Sequence, residues 1–174
     1  MAPTQSTQPS IALIGMPGVG KSTVGVLLAK QLGLRFIDTD LSIQQRTATT
    51  LQQFLDQHGY LALREQEQQV LLNDNFESAV VATGGSAVYA EMGMQRLSRY
   101  CRLAWLRLPA DELAARLGNF AERGIASAPG IDLAALYAER APLYQHWVTR
   151  SEGIVVDCSG RSAEQVCAAL VAKL

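Results

Sequence analysis

The apolar run Ile11–Ile14 stops abruptly at Gly15-Met16-Pro17-Gly18-Val19-Gly20-Lys21-Ser22-Thr23. Directly behind it Val24, Leu27, Leu28 and Leu32 recur at helical spacing, and Gly33 stands where such a helix would close. Strand, glycine loop and helix in immediate succession fit the pattern G-x-x-x-x-G-K-[ST] in the context its chemistry requires. The glycines let successive N–H groups turn inward toward phosphate oxygens, and the helix start adds the positive end of its dipole. In such a loop the Lys21 ammonium faces the β and γ phosphates and the Ser22 hydroxyl ligates magnesium. Gly15, Gly18, Val19, Gly20, Lys21, Ser22 and Thr23 are therefore the candidate ATP-binding residues, with Lys21 also a candidate catalytic one.

The rest of the chain repeats the alternation. Arg35–Asp38, Ala79–Ala82, Cys101–Leu108 and Ile154–Asp157 read as short strands without polar alternation. Helical spacing covers Leu51–Leu72 with a break at Gly59, Pro109–Leu117, Leu133–Trp147 and Ala163–Lys173. Strands that are apolar on both faces and separated by helices predict an α/β three-layer sandwich, a central parallel sheet flanked by helices. A length of 174 residues suits one such domain. The polar opening Met1–Ser10 is expected to be a loose tail, Ile11–Leu174 a single domain, and Gly118–Gly130, small and without apolar periodicity, a lid mobile without ligand.

Charge narrows the function. Fifteen Lys+Arg against sixteen Asp+Glu give a net charge of −1, and only 6% of residues are aromatic. That balance argues against a nucleic-acid partner, which needs a basic surplus or stacking platforms. No apolar run approaches the length of a membrane span. Three cysteines (Cys101, Cys158, Cys167) without metal-type spacing point to a reducing compartment, so a cytoplasmic monomer is expected. His58 and His146 stand alone, and Trp105 and Trp147 read as core.

Among phosphate-loop proteins, a switch GTPase needs an Asn-Lys-x-Asp guanine reader, and neither Lys21, Lys30 nor Lys173 sits in one. A motor ATPase would carry an apolar strand ending in Asp, whereas Val80-Val81-Ala82 runs into Thr83-Gly84-Gly85. A small-molecule or nucleotide kinase fits better. Asp38-Thr39-Asp40 closes the second strand, and residues two apart on an extended chain face one side about 6.5 Å apart. One carboxylate can then serve a metal while the other meets an acceptor hydroxyl, although Asp40 as a plain helix cap is the alternative.

Gly15–Thr23, Phe36-Ile37-Asp38-Thr39-Asp40, Arg64 in Leu63-Arg64-Glu65-Gln66-Glu67, Thr83-Gly84-Gly85 and Arg140-Ala141-Pro142-Leu143-Tyr144 occur in one order and spacing that resembles the shikimate kinase family. The resemblance implies a nucleoside-monophosphate-kinase-like fold, ATP and Mg2+ as cofactors, and transfer of the γ-phosphoryl group to the 3-hydroxyl of shikimate. By matching position it implies Ser22 and Asp38 at the metal and Asp40 at the acceptor hydroxyl. It likewise implies Arg64 and Arg140 on the substrate carboxylate, Gly84 and Gly85 beside the substrate, and Arg116, Arg123 and Arg161 at the nucleotide, Arg123 also as a catalytic lid residue. Read from the residues alone, Arg64 and Arg140 are as readily surface arginines with Glu65, Glu67 and Glu139 for partners. Two positions depart from the family pattern: Ser86 replaces a third glycine, and Gly124-Ile125-Ala126 follows Arg123 in place of Pro-Leu-Leu. Ser86 is expected either to narrow the pocket or to require a different backbone angle. A kinase of another small hydroxy acid, such as gluconate, and a non-catalytic nucleotide or metabolite sensor are the alternative readings.

Overall fold

Strands with no polar face must be covered on both sides, and the sheet meets that demand. The computed structural model describes residues 9–117 and 125–174. Among them, β1 (Ser10–Ile14), β2 (Arg35–Asp38), β3 (Ala79–Ala82), β4 (Cys101–Arg107) and β5 (Ile154–Asp157) run parallel in the order β2-β3-β1-β4-β5. Every residue of β1 and β3 is buried. The flanking helices are α1 (Lys21–Leu32), α2 (Thr39–Thr47), α3 (Leu51–Asn73), α4 (Glu91–Tyr100), α5 (Ala110–Leu117), α6 (Leu133–Arg150) and α7 (Ala163–Val171). Helix α1 packs with α7 and on β2 and β3, while α4 and α6 pack on β4. The parallel three-layer architecture expected from the sequence is the one found.

Register places the chemistry. Leu13 of β1 lies opposite Ala82 of β3, and Ala82 opposite Asp38 of β2. The loop after β1, the carboxylate ending β2 and the Thr83-Gly84-Gly85 turn after β3 therefore emerge side by side at the carboxyl edge of the sheet, where open α/β sheets bind ligands. A second, smaller core of Ile43, Phe54, Leu63, Val70 and Ala126 joins α2 and α3 to the segment that follows residue 124.

Four expectations change. Ser10 belongs to β1 and not to the tail: it is buried, and its Oγ accepts from the Ala79 N–H at 3.3 Å. Residues 1–8 of the expected tail lie outside the described residues, as do residues 118–124 of the expected lid. The rest of that segment is not without an apolar anchor, since Ala126 is buried and Ile125 packs on the main core. Thr39-Asp40 does not extend β2 but starts α2, so the extended-chain spacing of Asp38 and Asp40 does not apply. Helices α2 and α4 add elements that the apolar periodicity did not announce.

Candidate active site

The glycine loop ends with Gly20 at φ 102°, a left-handed conformation that glycine adopts without a steric cost. No side chain caps α1, and its first turn holds no acidic residue. Its first N–H groups thus remain open for an anion at the positive end of the helix dipole. Lys21 is buried, and its Nζ donates to the carbonyls of Gly15 at 2.7 Å and Met16 at 2.8 Å. Burial pulls its pKa down to about 8 against the opposing pull of the Asp40 carboxylate. Arg116, at the end of α5, reaches from the other side to the Val19 carbonyl at 3.3 Å.

Ser22 and Asp38 meet directly: the Ser22 Oγ donates to Asp38 Oδ2 at 2.6 Å. Asp38 also caps α2, its Oδ1 accepting from the Asp40 N–H at 3.0 Å. The N-cap is thus Asp38, and Asp40 lies in the first turn of α2 and lines the cavity. Burial, then the neighbouring Asp38 charge, pushes the Asp40 carboxyl up to about 6. One hydroxyl and one carboxylate are hard oxygen donors of the kind magnesium takes when phosphates and water complete its shell. Among the described residues no group of three or more His, Cys, Asp or Glu is placed to hold a metal by itself.

The turn after β3 is pinned to its neighbours. Thr83 donates through N–H and Oγ1 to the Leu13 carbonyl, the Gly84 N–H donates to Thr39 Oγ1 at 3.0 Å, and the Tyr144 hydroxyl donates to the Gly85 carbonyl at 2.6 Å. A Cβ on Gly84 would collide with Glu67 Oε1 and come within 3.0 Å of Asp40 Oδ1. Two carboxylate tips close on its backbone, so a side chain there would have to displace Glu67 and Asp40. Ser86 has negative φ (φ −94°, ψ 1°), and its hydroxyl donates to Glu67 Oε2 in the cavity wall. Glu67 is buried, and burial pushes its carboxyl up to about 7 against the Ser86 hydrogen bond.

Pro17, Gly18, Lys21, Asp40, Glu67, Gly84, Gly85, Ser86 and Arg140 line one cavity of about 370 Å³ that runs from the glycine loop to α6. Arg140 has no exposed surface; its Nη2 donates to the Ala126 carbonyl at 2.6 Å, and its Nε and Nη1 make no hydrogen bond among the described residues. Arg64, on α3, shares that carbonyl at 3.5 Å, and its Nε is likewise without a partner among the described residues. Neither guanidinium forms an ion pair among the described residues. Glu65 accepts from Gln69, Glu67 from Ser86 and Glu139 from Tyr89, so the surface-pairing alternative does not describe these arginines. Buried cationic donors without partners are costly unless a ligand supplies them.

Lys21, Ser22, Asp38, Asp40, Gly84, Gly85 and Arg140 are brought together, with Arg64 at their margin. Arg116 touches the glycine loop through the Val19 carbonyl, and Arg161 is exposed on the loop after β5, outside the residues that line the cavity. Arg123 lies outside the described residues. Sequence reasoning missed Glu67, which it took for a surface partner. The available signal was its place on the buried stripe of α3, with Leu63, Val70 and Leu71.

A family model described as shikimate kinase matches residues 17–174. A shikimate kinase of Paracidovorax citrulli is 37% identical over 153 residues, covering 83% of this chain and 84% of that protein. Shikimate kinase 2 of Serratia proteamaculans is 40% identical over 111 residues, which cover 64% of each chain. Among solved structures, shikimate kinase from Acinetobacter baumannii in complex with shikimate superposes with a TM-score of 0.82 at 26% identity, covering 95% of this chain and 92% of that one.

Proposed function

Because the chain belongs to the shikimate kinase family, we propose that it transfers the γ-phosphoryl group of ATP to the 3-hydroxyl of shikimate, giving shikimate 3-phosphate. The observation that carries this reading is Arg140: fully buried, with two free donors among the described residues, in the same cavity as Asp40 and the glycine loop. A planar guanidinium binds a carboxylate at two points, and the acceptor must then present its hydroxyl toward Asp40 and the phosphates. Arg64 completes the carboxylate grip, and Gly84 and Gly85 bring backbone close to the ring.

The steps follow from this chain's own groups. The open N–H groups of α1 and the loop hold the triphosphate, and Lys21 exchanges its loop carbonyls for phosphate oxygens. Asp40 orients the acceptor hydroxyl and takes its proton as the phosphoryl group moves. Ser22 and Asp38 would hold Mg2+, which would supply positive charge against the charge that develops on the phosphates. Arg116, already bonded to the glycine loop, would contact the phosphates, and the family pattern would bring Arg123 and Arg161 to the nucleotide as well. No helix among the described residues is long and apolar enough to cross a membrane. We propose a cytoplasmic monomer without nucleic-acid partners, on the near-neutral charge balance and the three free cysteines.

An ADP-release assay over shikimate, its carboxamide, gluconate and nucleoside monophosphates tests the reading. Turnover confined to shikimate, and lost with the carboxamide, is the expected result. Turnover with gluconate alone, or with none of the acceptors, would overturn it.

A further inference from the structure

Building on the functional reading above, we propose that Tyr89 is a positioning residue for substrate recognition, a π-face platform that holds Arg64 and Arg140 ready for an acceptor carboxylate. The Arg64 guanidinium carbon lies 3.7 Å from the centre of the Tyr89 ring, and that of Arg140 lies 5.5 Å from it. Tyr60 approaches Arg64 at 5.1 Å as well. Both arginines thus share one aromatic ring within the range of cation–π attraction.

The way this contact is made matters for recognition. An acidic partner would fix a guanidinium by occupying its N–H edge, the same edge a ligand carboxylate needs. An aromatic ring attracts the cation without consuming a hydrogen-bond donor of the guanidinium. The free donors match: Arg64 Nε, Arg140 Nε and Arg140 Nη1 have no hydrogen-bond partner among the described residues, and no carboxylate of the chain pairs with either group there. The contact is closest for Arg64, with Arg140 at the outer part of the range.

The ring is itself held. Its hydroxyl donates to Glu139 Oε1, immediately before Arg140 on α6. A phenol donating to a carboxylate gains negative character, which strengthens its hold on a cation. Tyr89 ends the short 3₁₀ turn Ala87–Tyr89, whose Val88 carbonyl accepts from Trp147 Nε1 at 3.0 Å and whose Tyr89 N–H donates to the Ser86 carbonyl at 3.1 Å. The segment Gly84–Tyr89 therefore carries both the close backbone approach and the platform, so the two move as one unit.

Tyr89→Leu removes the ring and keeps an apolar side chain, and Tyr89→Phe keeps the ring and loses the Glu139 bond. The expected result is a rise of about 5- to 30-fold in the KM for shikimate in Tyr89→Leu, with the KM for ATP moved less than about 2-fold. Tyr89→Phe should recover most of that loss. The penalty for replacing shikimate by its carboxamide should also shrink in Tyr89→Leu, because the arginines are then less well placed to sense the charge. Should Tyr89→Leu not fold, Glu139→Gln, at an exposed position, is read in the same assay and should raise the shikimate KM about 2- to 5-fold. An unmoved shikimate KM in the folded Tyr89→Leu, or equal rises for shikimate and ATP, would overturn the role of Tyr89; in its place, an unmoved KM in Glu139→Gln would do the same. Wild-type turnover measured alongside separates the two readings: without it the functional reading fails, and with it only the platform is at stake.

Discussion

Replacing Glu67 by Gln should flatten the pH dependence of stability between about pH 5 and pH 7.5. Glu67 is buried against Ser86, with Asp40, Arg64 and Arg140 in its electrostatic neighbourhood, and burial raises its carboxyl from 4.5 to about 7. Between those values the folded chain holds a proton that the unfolded chain has released. Folding therefore binds protons in that window, and stability falls as pH rises through it. The contribution is fully present below 4.5 and gone above 7. Each tenfold difference in proton affinity between the folded and unfolded chain is worth about 1.36 kcal/mol, so the change between pH 5 and pH 7.5 comes to roughly 2 kcal/mol. A Gln amide has no proton to lose and retains an acceptor for the Ser86 hydroxyl. Relative to wild type, Glu67→Gln should thus be about 2 kcal/mol more favourable at pH 7.5 than at pH 5. Asp40, shifted in the same direction, titrates in both proteins and largely drops out of the difference; Lys21 titrates near 8, above the window. Urea unfolding of both proteins at half-unit pH steps measures the difference. Parallel pH profiles would refute the reasoning, since they would mean that Glu67 carries the same proton occupancy folded and unfolded.

Other outcomes are expected from the same site. Lys21→Ala should abolish turnover and weaken ATP·Mg binding, read by ADP release and calorimetry on the folded variant. Arg64→Lys and Arg140→Lys keep the charge but lose the two-point fork, and each should raise the acceptor KM by a factor worth about 1.5–3 kcal/mol while leaving that for ATP nearly unmoved. The kcat/KM for shikimate should fall as pH drops below about 6, where Asp40 takes up its proton, and a pH profile without that acid limb would remove Asp40 as the base. Arg123→Ala should lower kcat more than it weakens ATP binding, with hydrogen exchange over 118–130 slowed only when both ligands bind. Unchanged exchange together with full kcat would dispose of the lid role.

The parts of the site that sequence could carry are those fixed by chain-local chemistry. The glycine loop is legible because its spacing, its strand before and its helix after all belong to one stretch of chain. Asp38 was legible as a residue but not as a cap: which of two neighbouring carboxylates ends a strand and which begins a helix depends on where Ser22 stands, sixteen positions away. Glu67 was hidden for a related reason. A glutamate next to arginines on a helix looks solvated until the fold turns its face inward, and here Ser86, brought from the turn after β3, takes the hydrogen bond that Arg64 or Arg140 would otherwise make. Ser86 stays in the cavity wall, but its hydroxyl is engaged by the Glu67 carboxylate, a partner brought from α3 that the local sequence could not announce.

That last relation shows how the two carboxylates around Gly84 divide their work. Asp40 and Glu67 approach the same glycine, and like charges this close resist ionising together. Asp40 has Lys21 to favour its charged form, whereas the strongest stabiliser of Glu67 is a neutral hydroxyl. Loss of a proton therefore comes first at Asp40, the group that faces the phosphate loop, and later at Glu67. With Glu67 protonated below about 7, the carboxylate of an incoming acid meets two arginines without a competing negative charge beside them. The serine that departs from the family pattern works against the burial that protonates Glu67, since its hydrogen bond favours the charged carboxylate, and it thereby tunes the pH at which Glu67 becomes a negative neighbour of the two arginines.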